Sequence, residues 1–157
     1  MIVRRFSICF VKSAGAILLL TGAAKVVSSL GQAKVLALQD PILGLSFGKL
    51  MLVVGLVELV IAVLCLLPSA SPQVKLGLVT WVATSFLAYR IGLWAVDWHR
   101  PCGCMGALAG ALHLSDQMAD NVMKALLVYL LTGSDLLLYI RWRRTRPIGV
   151  TAGVLTP

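Results

Sequence analysis

The stretch FGKLMLVVGLVELVIAVLCLL, residues 47–67, decides the fold class of this chain of 157 residues. Only Lys49 and Glu58 interrupt its apolar character, and at about 1.5 Å of rise per residue it can span the ~30 Å hydrocarbon core of a bilayer. Lipid cannot hydrogen bond to free backbone groups, so such a segment must be helical, and its pattern does not alternate as a barrel strand does. The stretch therefore predicts a transmembrane helix.

Three further apolar stretches have the length of a membrane span: residues 8–30, 75–96 and 122–140. The chain is 59% hydrophobic and 13% charged, with a mean hydropathy of +0.94, whereas soluble domains average about half apolar and a quarter charged. We predict an all-α polytopic membrane protein, a four-transmembrane-helix bundle. Residues 1–142 form this single domain, and residues 143–157 are expected to be a disordered basic tail.

The first stretch also has features of a signal peptide. Arg4 and Arg5 precede it, and Gly22-Ala23-Ala24 resembles a cleavage site. The apolar sequence continues to Leu30, which is longer than the apolar region of a simple signal peptide. We therefore expect a retained helix, with cleavage as the alternative.

The net charge of +8 is distributed unevenly along the chain. The positive-inside rule places both termini and the 68–74 turn in the cytoplasm of a bacterial cell, and the loop that contains Cys102 and Cys104 on the periplasmic side of the inner membrane. Arginines beside a membrane helix usually set topology or contact anionic lipid, so we expect a lipid bilayer and no nucleic acid as partner. The basic residues concerned are Arg4, Arg5, Lys75, Arg141, Arg143, Arg144 and Arg146.

The segment Pro101-Cys102-Gly103-Cys104 suggests redox chemistry. Cysteines two residues apart can have their α-carbons about 5.5–7 Å apart, which straddles the disulfide range, and so small a ring should be strained and easily reduced. Cys102 and Cys104 are therefore the predicted catalytic residues of a thiol–disulfide exchange. The alternatives are a static disulfide and a metal site, for which a one-residue spacing is a poor match. Cys9 and Cys65 are expected to be inert packing residues.

Glu58 is the only glutamate in the chain, and it lies in the middle of the second apolar stretch. A charge at that depth costs about 2.5–3.5 kcal/mol, so it should have a partner or be neutral. Counted from the outer helix ends, Lys25 lies ~8 Å deep, Arg90 ~9 Å and Glu58 ~16 Å, distances that long side chains can bridge; Asp135 is farther away. We predict a Lys25–Glu58–Arg90 cluster that relays protons or binds a quinone head group. The alternative is an ion pair that only fixes helix packing.

These features in this order resemble the MauE/DoxX-like family of small bacterial membrane proteins. The matching residues are Thr21-Gly22-Ala23-Ala24-Lys25, Glu58, Arg90 and Cys102-Gly103-Cys104-Met105-Gly106, with Met105 standing where many members have an aromatic residue. The resemblance covers roughly residues 10–140. It implies a four-helix fold, a periplasm-facing cysteine pair and contact with quinone. MauE-type members are associated with maturation of a periplasmic methylamine dehydrogenase subunit, and DoxX-type members with quinol-oxidising or other redox complexes.

The functional prediction is an integral membrane thiol–disulfide redox component. Its expected partners are a periplasmic thioredoxin-like or client protein and other membrane redox subunits, with quinone as the cofactor that accepts electrons. The alternative is a non-catalytic subunit or assembly scaffold of a larger redox complex, in which the cysteine pair is a structural staple. A small transporter ranks last, because the sequence lacks the inverted repeats and interrupted helices of such folds.

Overall fold

The computed structural model describes residues 2–31, 34–68, 70–97 and 115–145. Within these ranges the chain is helical, with a single isolated bridge between Gln39 and Ser46 and no extended strand. The predicted all-α four-helix bundle is confirmed. Its elements are α1 (Ile2–Ser29), a short 3-10 helix (Lys34–Ala37), α2 (Phe47–Leu66), α3 (Pro72–Ala95) and α4 (Asp116–Thr145).

The helices differ from the predicted stretches mainly in length. Helix α1 begins at Ile2 rather than at residue 8, and α4 extends beyond residues 122–140 at both ends. Hydropathy marks only the part of a helix that suits hydrocarbon, whereas backbone hydrogen bonding can continue into the polar interface. Residues 143–145, expected in the tail, therefore continue α4, and the remainder of that predicted tail lies outside the described residues.

All four helices are long and apolar enough to cross a membrane. The candidate spans are Arg5–Ser29, Phe47–Leu66, Pro72–Ala95 and Gln117–Arg143, with mean hydropathies of 1.7, 2.6, 1.4 and 1.5. Large apolar side chains also cover their outward faces, which water would disfavour and lipid accommodates. By the length and composition of its helices, the chain is a membrane protein whose surroundings are a lipid bilayer.

Two close helix pairs make up the bundle: α1 packs chiefly on α2, and α3 chiefly on α4. In the first pair the backbones approach closely, because a Cβ atom added to Gly55 would lie 2.9 Å from the carbonyl oxygen of Gly22. One added to Gly22 would lie 3.0 Å from the carbonyl oxygen of Gly55. Small residues commonly permit such crossings between membrane helices. Lys25 and Glu58 each lie three residues beyond these glycines, on the same faces of their helices.

Contacts between α1 and α4 connect the two pairs. The rings of Phe10 and Tyr129 lie 5.4 Å apart, and the hydroxyl oxygens of Ser13 and Tyr129 are 2.8 Å apart. Phe10 also packs over Gly133, where no side chain would fit without displacing the ring. These contacts help enclose an apolar core, whose buried members include Val11, Ala14, Leu18, Ile61, Ala62, Leu76, Val79, Ala83 and Leu130.

The turn between α2 and α3 is closed by Lys75, whose side chain is buried. Its Nζ donates hydrogen bonds to the carbonyl oxygens of Cys65, at 3.2 Å, and of Leu67. These carbonyls belong to the C-terminal end of α2, where no backbone N–H is available to them and a cation is favoured. Helix α3 begins with Pro72 after Ser71, whose hydroxyl accepts a hydrogen bond from the N–H of Val74.

Candidate functional site

A buried ion pair joins α1 to α2. Lys25 Nζ lies 2.6 Å from Glu58 Oε1, and the two side chains are only 5% and 1% exposed. Burial of this degree removes both charges from water and makes each dependent on the other. The structure therefore brings together two of the three residues that the sequence placed in one cluster.

Helix α3 adds an aromatic face to this pair. The Lys25 ammonium lies 5.0 Å from the ring centroid of Phe86, a distance at which a cation is attracted to the face of a ring. Lys25 thus has a carboxylate on one side and an apolar ring on another. The three contributing helices, α1, α2 and α3, meet at this point.

Beside the ion pair is a small cavity of about 60 Å³, whose wall is mostly apolar but includes several polar and charged side chains. Glu58 Oε2 is buried on its wall and forms no hydrogen bond of normal geometry with the described residues, although the hydroxyl of Thr21 lies near the carboxylate. A cavity of this size holds a few water molecules, since each needs about 10–15 Å³ by this kind of measure. The second carboxylate oxygen can therefore accept a hydrogen bond or a proton from a guest in the cavity. Polar or charged side chains on its wall are Thr21, Lys25, Glu58, Tyr89 and Arg90.

Arg90 lines the same cavity but forms its ion pair elsewhere. Its Nη2 donates to Asp120 Oδ1 on α4, and Lys124 Nζ lies 2.6 Å from the other oxygen of Asp120. Both Arg90 and Asp120 are more than a quarter exposed, so this network lies toward the open side of the cavity. The three residues of the predicted cluster thus line one cavity, while the ion pair of Arg90 is with Asp120. Asp135 is exposed farther along α4.

Asp120 was missed because it precedes the stretch 122–140 that hydropathy marked as the last helix. In the structure α4 begins at Asp116, and Ser115 accepts a hydrogen bond at 3.3 Å from the N–H of Met118. The sequence does indicate this start, since Ser115 or Asp116 is a plausible N-cap of the last helix, but the capping signal alone did not identify Asp120 as the partner of Arg90.

A larger cavity, of about 240 Å³, lies between α2 and α3. Its wall is almost entirely apolar, although Lys25 contributes to it. It shares Lys25, Phe86 and Tyr89 with the smaller cavity, so these three side chains border both spaces. The other lining residues are Leu43, Phe47, Leu50, Met51, Val54 and Ser85.

The loop of residues 38–46 covers this end of the bundle through the buried Asp40. One carboxylate oxygen accepts hydrogen bonds from the N–H groups of Ile42, at 2.9 Å, and Leu43, at 2.7 Å. The other accepts from the hydroxyl of Tyr89 on α3. Gly44 supplies the left-handed conformation that closes the turn, with φ of 66°. Asp40 thereby fixes Leu43 against the larger cavity, a role that its sequence position alone did not indicate.

The predicted catalytic residues Cys102 and Cys104 lie outside the described residues. The segment that contains them connects α3 to α4, whose adjoining turns carry Arg90 and Asp120. Of the two described cysteines, Cys65 is buried as expected, whereas Cys9 is exposed rather than packed; both are free thiols. The role of the Cys102–Cys104 pair stays a prediction.

Taken together, the cavities provide a hydrogen-bond donor, an uncommitted carboxylate oxygen and an apolar compartment in adjacent positions. A donor and an acceptor at the edge of an apolar space suit an aromatic or isoprenoid molecule with a polar head group.

Comparison with known proteins gives no relative: no family model, no curated protein and no solved structure matches this chain. The resemblance to the MauE/DoxX-like family therefore stays a prediction from the residues that carry it.

Proposed function

We propose that the protein is a membrane thiol–disulfide redox component that passes electrons from Cys102 and Cys104 to a quinone. In the proposed reaction the dithiol and the quinone form a disulfide and a quinol. Two electrons and two protons leave the thiols and arrive at the two quinone oxygens, so the reaction balances without another reagent. The resulting disulfide can then oxidise a thioredoxin-like or client protein.

The observation that carries the quinone part of this proposal is the buried Lys25–Glu58 pair, whose lysine borders both cavities. A well-packed apolar pair is often as stable as a buried ion pair or more stable, so stability is weak grounds for charges at this depth. Ionisable residues inside a membrane domain usually mark a path for ions, protons or substrate. A quinone combines an apolar body with polar oxygens, which matches both compartments.

The cysteine part of the proposal is supported by the residue pattern and by the position of the segment in the chain. In the chain the segment lies between α3, whose Arg90 lines the smaller cavity, and α4, whose Asp120 pairs with Arg90. In the proposed orientation this end faces the periplasm of a bacterial inner membrane and both termini face the cytoplasm. Oxidising conditions there allow a strained disulfide to persist.

The test uses the purified full chain in lipid nanodiscs under anaerobic conditions. After mild reduction, a fully ring-substituted quinone is added, because an open ring position would react directly with thiols. We expect one quinol per two thiols lost, measured by absorbance and by thiol trapping with mass spectrometry at Cys102 and Cys104. The matched control is Cys102→Ser/Cys104→Ser, which retains Cys9 and Cys65 and should form no quinol.

The proposal fails if Cys102 and Cys104 stay in one fixed state under both oxidant and mild reductant. That result, together with loss of complex assembly in the double serine variant, would instead favour a non-catalytic scaffold with a stapled loop. Retained assembly with lost oxidation of the client would support the redox function.

A further inference from the structure

The larger cavity has the size and the wall of a ring-binding site. An apolar cavity of about 150 Å³ in another protein suffices to bind benzene, and this one measures about 240 Å³. Among its described lining residues Lys25 is the single charged group. The Tyr89 hydroxyl, which also borders the space, already donates to Asp40. A guest here would meet mostly hydrocarbon and one strong hydrogen-bond donor.

Lys25 has the capacity to serve that guest. A lysine ammonium carries three N–H donors, and the one hydrogen bond described for Lys25 goes to Glu58. Because Lys25 lines both cavities, a second N–H can be directed to an acceptor in the larger one without breaking the ion pair. The ring of Phe86 beside it offers a flat apolar face for stacking.

The smaller cavity is too small for a ring but can hold water beside its few polar side chains. Its volume of about 60 Å³ is well below that of the benzene-binding cavity. It contains the uncommitted oxygen of Glu58, and the Arg90–Asp120 pair stands at its more exposed side. Water bound there would contact the Glu58 carboxylate, and Lys25 lines both this cavity and the larger one.

We infer that the cavity between α2 and α3 binds the quinone ring, with Lys25 donating a hydrogen bond to one carbonyl oxygen, and that the smaller cavity holds the proton-exchanging water. This inference rests on the proposed function and adds to it the position of the ligand. It assigns separate roles to residues that the sequence grouped together: Lys25 contacts the ring, whereas Glu58 and Arg90 border the water. Val54 and Met51, on the cavity wall, determine which ring sizes fit.

The position of the ring is tested with two adjacent valines of α2. Val54 lines the cavity, whereas Val53 is 56% exposed on the outer face of the same helix. Binding of 2,3-dimethyl-1,4-naphthoquinone to the oxidised full chain in nanodiscs is measured by calorimetry, with empty nanodiscs as the blank. We expect Val54→Phe to weaken binding at least tenfold, because its ring fills the space, and Val53→Phe to leave it unchanged. Equal binding to both variants would overturn the inference.

A second variant, on the opposite wall of the cavity, keeps the test valid if Val54→Phe does not fold. Ser85 on α3 lines the same cavity, and it is exposed enough for Ser85→Leu to be tolerated. We expect it to weaken quinone binding while the helical circular dichroism and the elution volume stay those of the unsubstituted chain. Unchanged binding by a folded Ser85→Leu variant would count against the ring position as well.

The hydrogen bond is tested with 2,3-dimethylnaphthalene, which has the same ring shape without carbonyl oxygens. A hydrogen bond from a charged donor corresponds to about a tenfold or larger preference for the quinone. We expect Lys25→Met/Glu58→Leu, which removes both charges together, to abolish this preference while still binding the hydrocarbon. Retention of the preference would exclude Lys25 as the donor.

The two levels of proposal fail differently. If the unsubstituted chain oxidises its thiols with quinone but Val54→Phe does so with unchanged affinity, the ring lies elsewhere and the redox function stands. If the unsubstituted chain neither binds quinone nor transfers electrons to it, the proposed function fails and the ring site fails with it.

Discussion

Lys25 and Glu58 are each buried beyond the reach of bulk water, and each is stabilised there by the other. Removing one partner leaves an uncompensated charge, whereas removing both leaves an apolar contact of similar volume. The contribution of either residue to the free energy of unfolding therefore depends on whether its partner is present. Phe86 adds a cation–π contact to Lys25 that Glu58 does not share.

We predict that Lys25→Met lowers the free energy of unfolding by about 3–5 kcal/mol, because Glu58 is left buried without its cation. Lys25→Met/Glu58→Leu should recover most of this loss. The measurement is the midpoint of denaturant-induced unfolding in mixed micelles, followed by circular dichroism. Lys124→Met serves as the control, because Lys124 is 60% exposed and its pairing with Asp120 is screened by solvent. A double variant as unstable as Lys25→Met alone would contradict the account.

Asp40 is a second single residue with a large effect, because its side chain binds backbone N–H groups of its own loop. Its carboxylate accepts two N–H groups of its own loop and the hydroxyl of Tyr89, so one side chain both shapes the loop and attaches it to α3. Such a turn around an aspartate is a local alternative to regular secondary structure.

We predict that Asp40→Ala releases the loop of residues 38–46, because three donors lose their acceptor together. Hydrogen exchange at the amides of Ile42 and Leu43 should become at least tenfold faster, measured by mass spectrometry on the full chain in nanodiscs. Gln39→Ala, at an exposed neighbouring position, should leave their exchange unchanged. Slow exchange in Asp40→Ala would mean that packing of Ile42 on Gly92 holds the loop by itself.

At the scale of the helices, the crossing of α1 and α2 determines whether the ion pair can form. Gly22 and Gly55 let the two backbones touch, and Lys25 and Glu58 follow one turn later on the same faces. In lipid there is little hydrophobic gain in bringing helices together, so close backbone packing and interhelical polar contacts supply the association. The glycines and the ion pair therefore support each other.

We predict that Gly55→Leu separates α1 from α2 and destabilises the bundle by about 1–3 kcal/mol or more, because the added side chain meets the carbonyl oxygen of Gly22. The unfolding midpoint in micelles measures the effect. Gly77→Leu is the matched control, since a Cβ atom at Gly77 has no neighbour within 4 Å among the described residues. Equal effects of the two substitutions would show that the crossing tolerates a side chain.

At the scale of the whole molecule, the four helices form a bundle whose two ends differ. One end carries the loop of residues 38–46, the Arg90–Asp120 pair and the connection from α3 to α4. The opposite end carries the turn closed by Lys75 and the arginines in the last turns of α4, Arg141, Arg143 and Arg144. The positive-inside rule predicts that the second end faces the cytoplasm.

We predict that a fluorescent protein fused after residue 157 fluoresces in bacterial cells, because both termini are expected in the cytoplasm. Alkaline phosphatase inserted between residues 106 and 112 should be active, since that enzyme requires the oxidising periplasm to form its disulfides. Exchanging the two reporters between these positions supplies the control. A phosphatase that is inactive in the loop but active after residue 157 would reverse the orientation and place Cys102 and Cys104 in a reducing compartment.

The sequence by itself determined the fold class and the positions of the helices. A run such as residues 47–67 has one stable form in lipid, because its backbone must satisfy its own hydrogen bonds. The regular rise of a helix then made the depth of a residue countable, which is why Lys25 and Glu58 were predicted to come within reach of each other. Helix ends were harder to predict, since hydropathy does not record where backbone hydrogen bonding stops.

Only the tertiary structure decided which charges pair and where the cavities lie. The depth of Arg90 leaves Glu58 within reach of its long side chain, yet its ion pair is with Asp120, because partner choice depends on how α3 and α4 are rotated about their axes. The hydrogen bond from the Tyr89 hydroxyl to the buried Asp40 carboxylate likewise depends on how separate segments pack, and so does the cavity between α2 and α3. Depth is a property of one helix, whereas rotation and contact are properties of the assembled bundle.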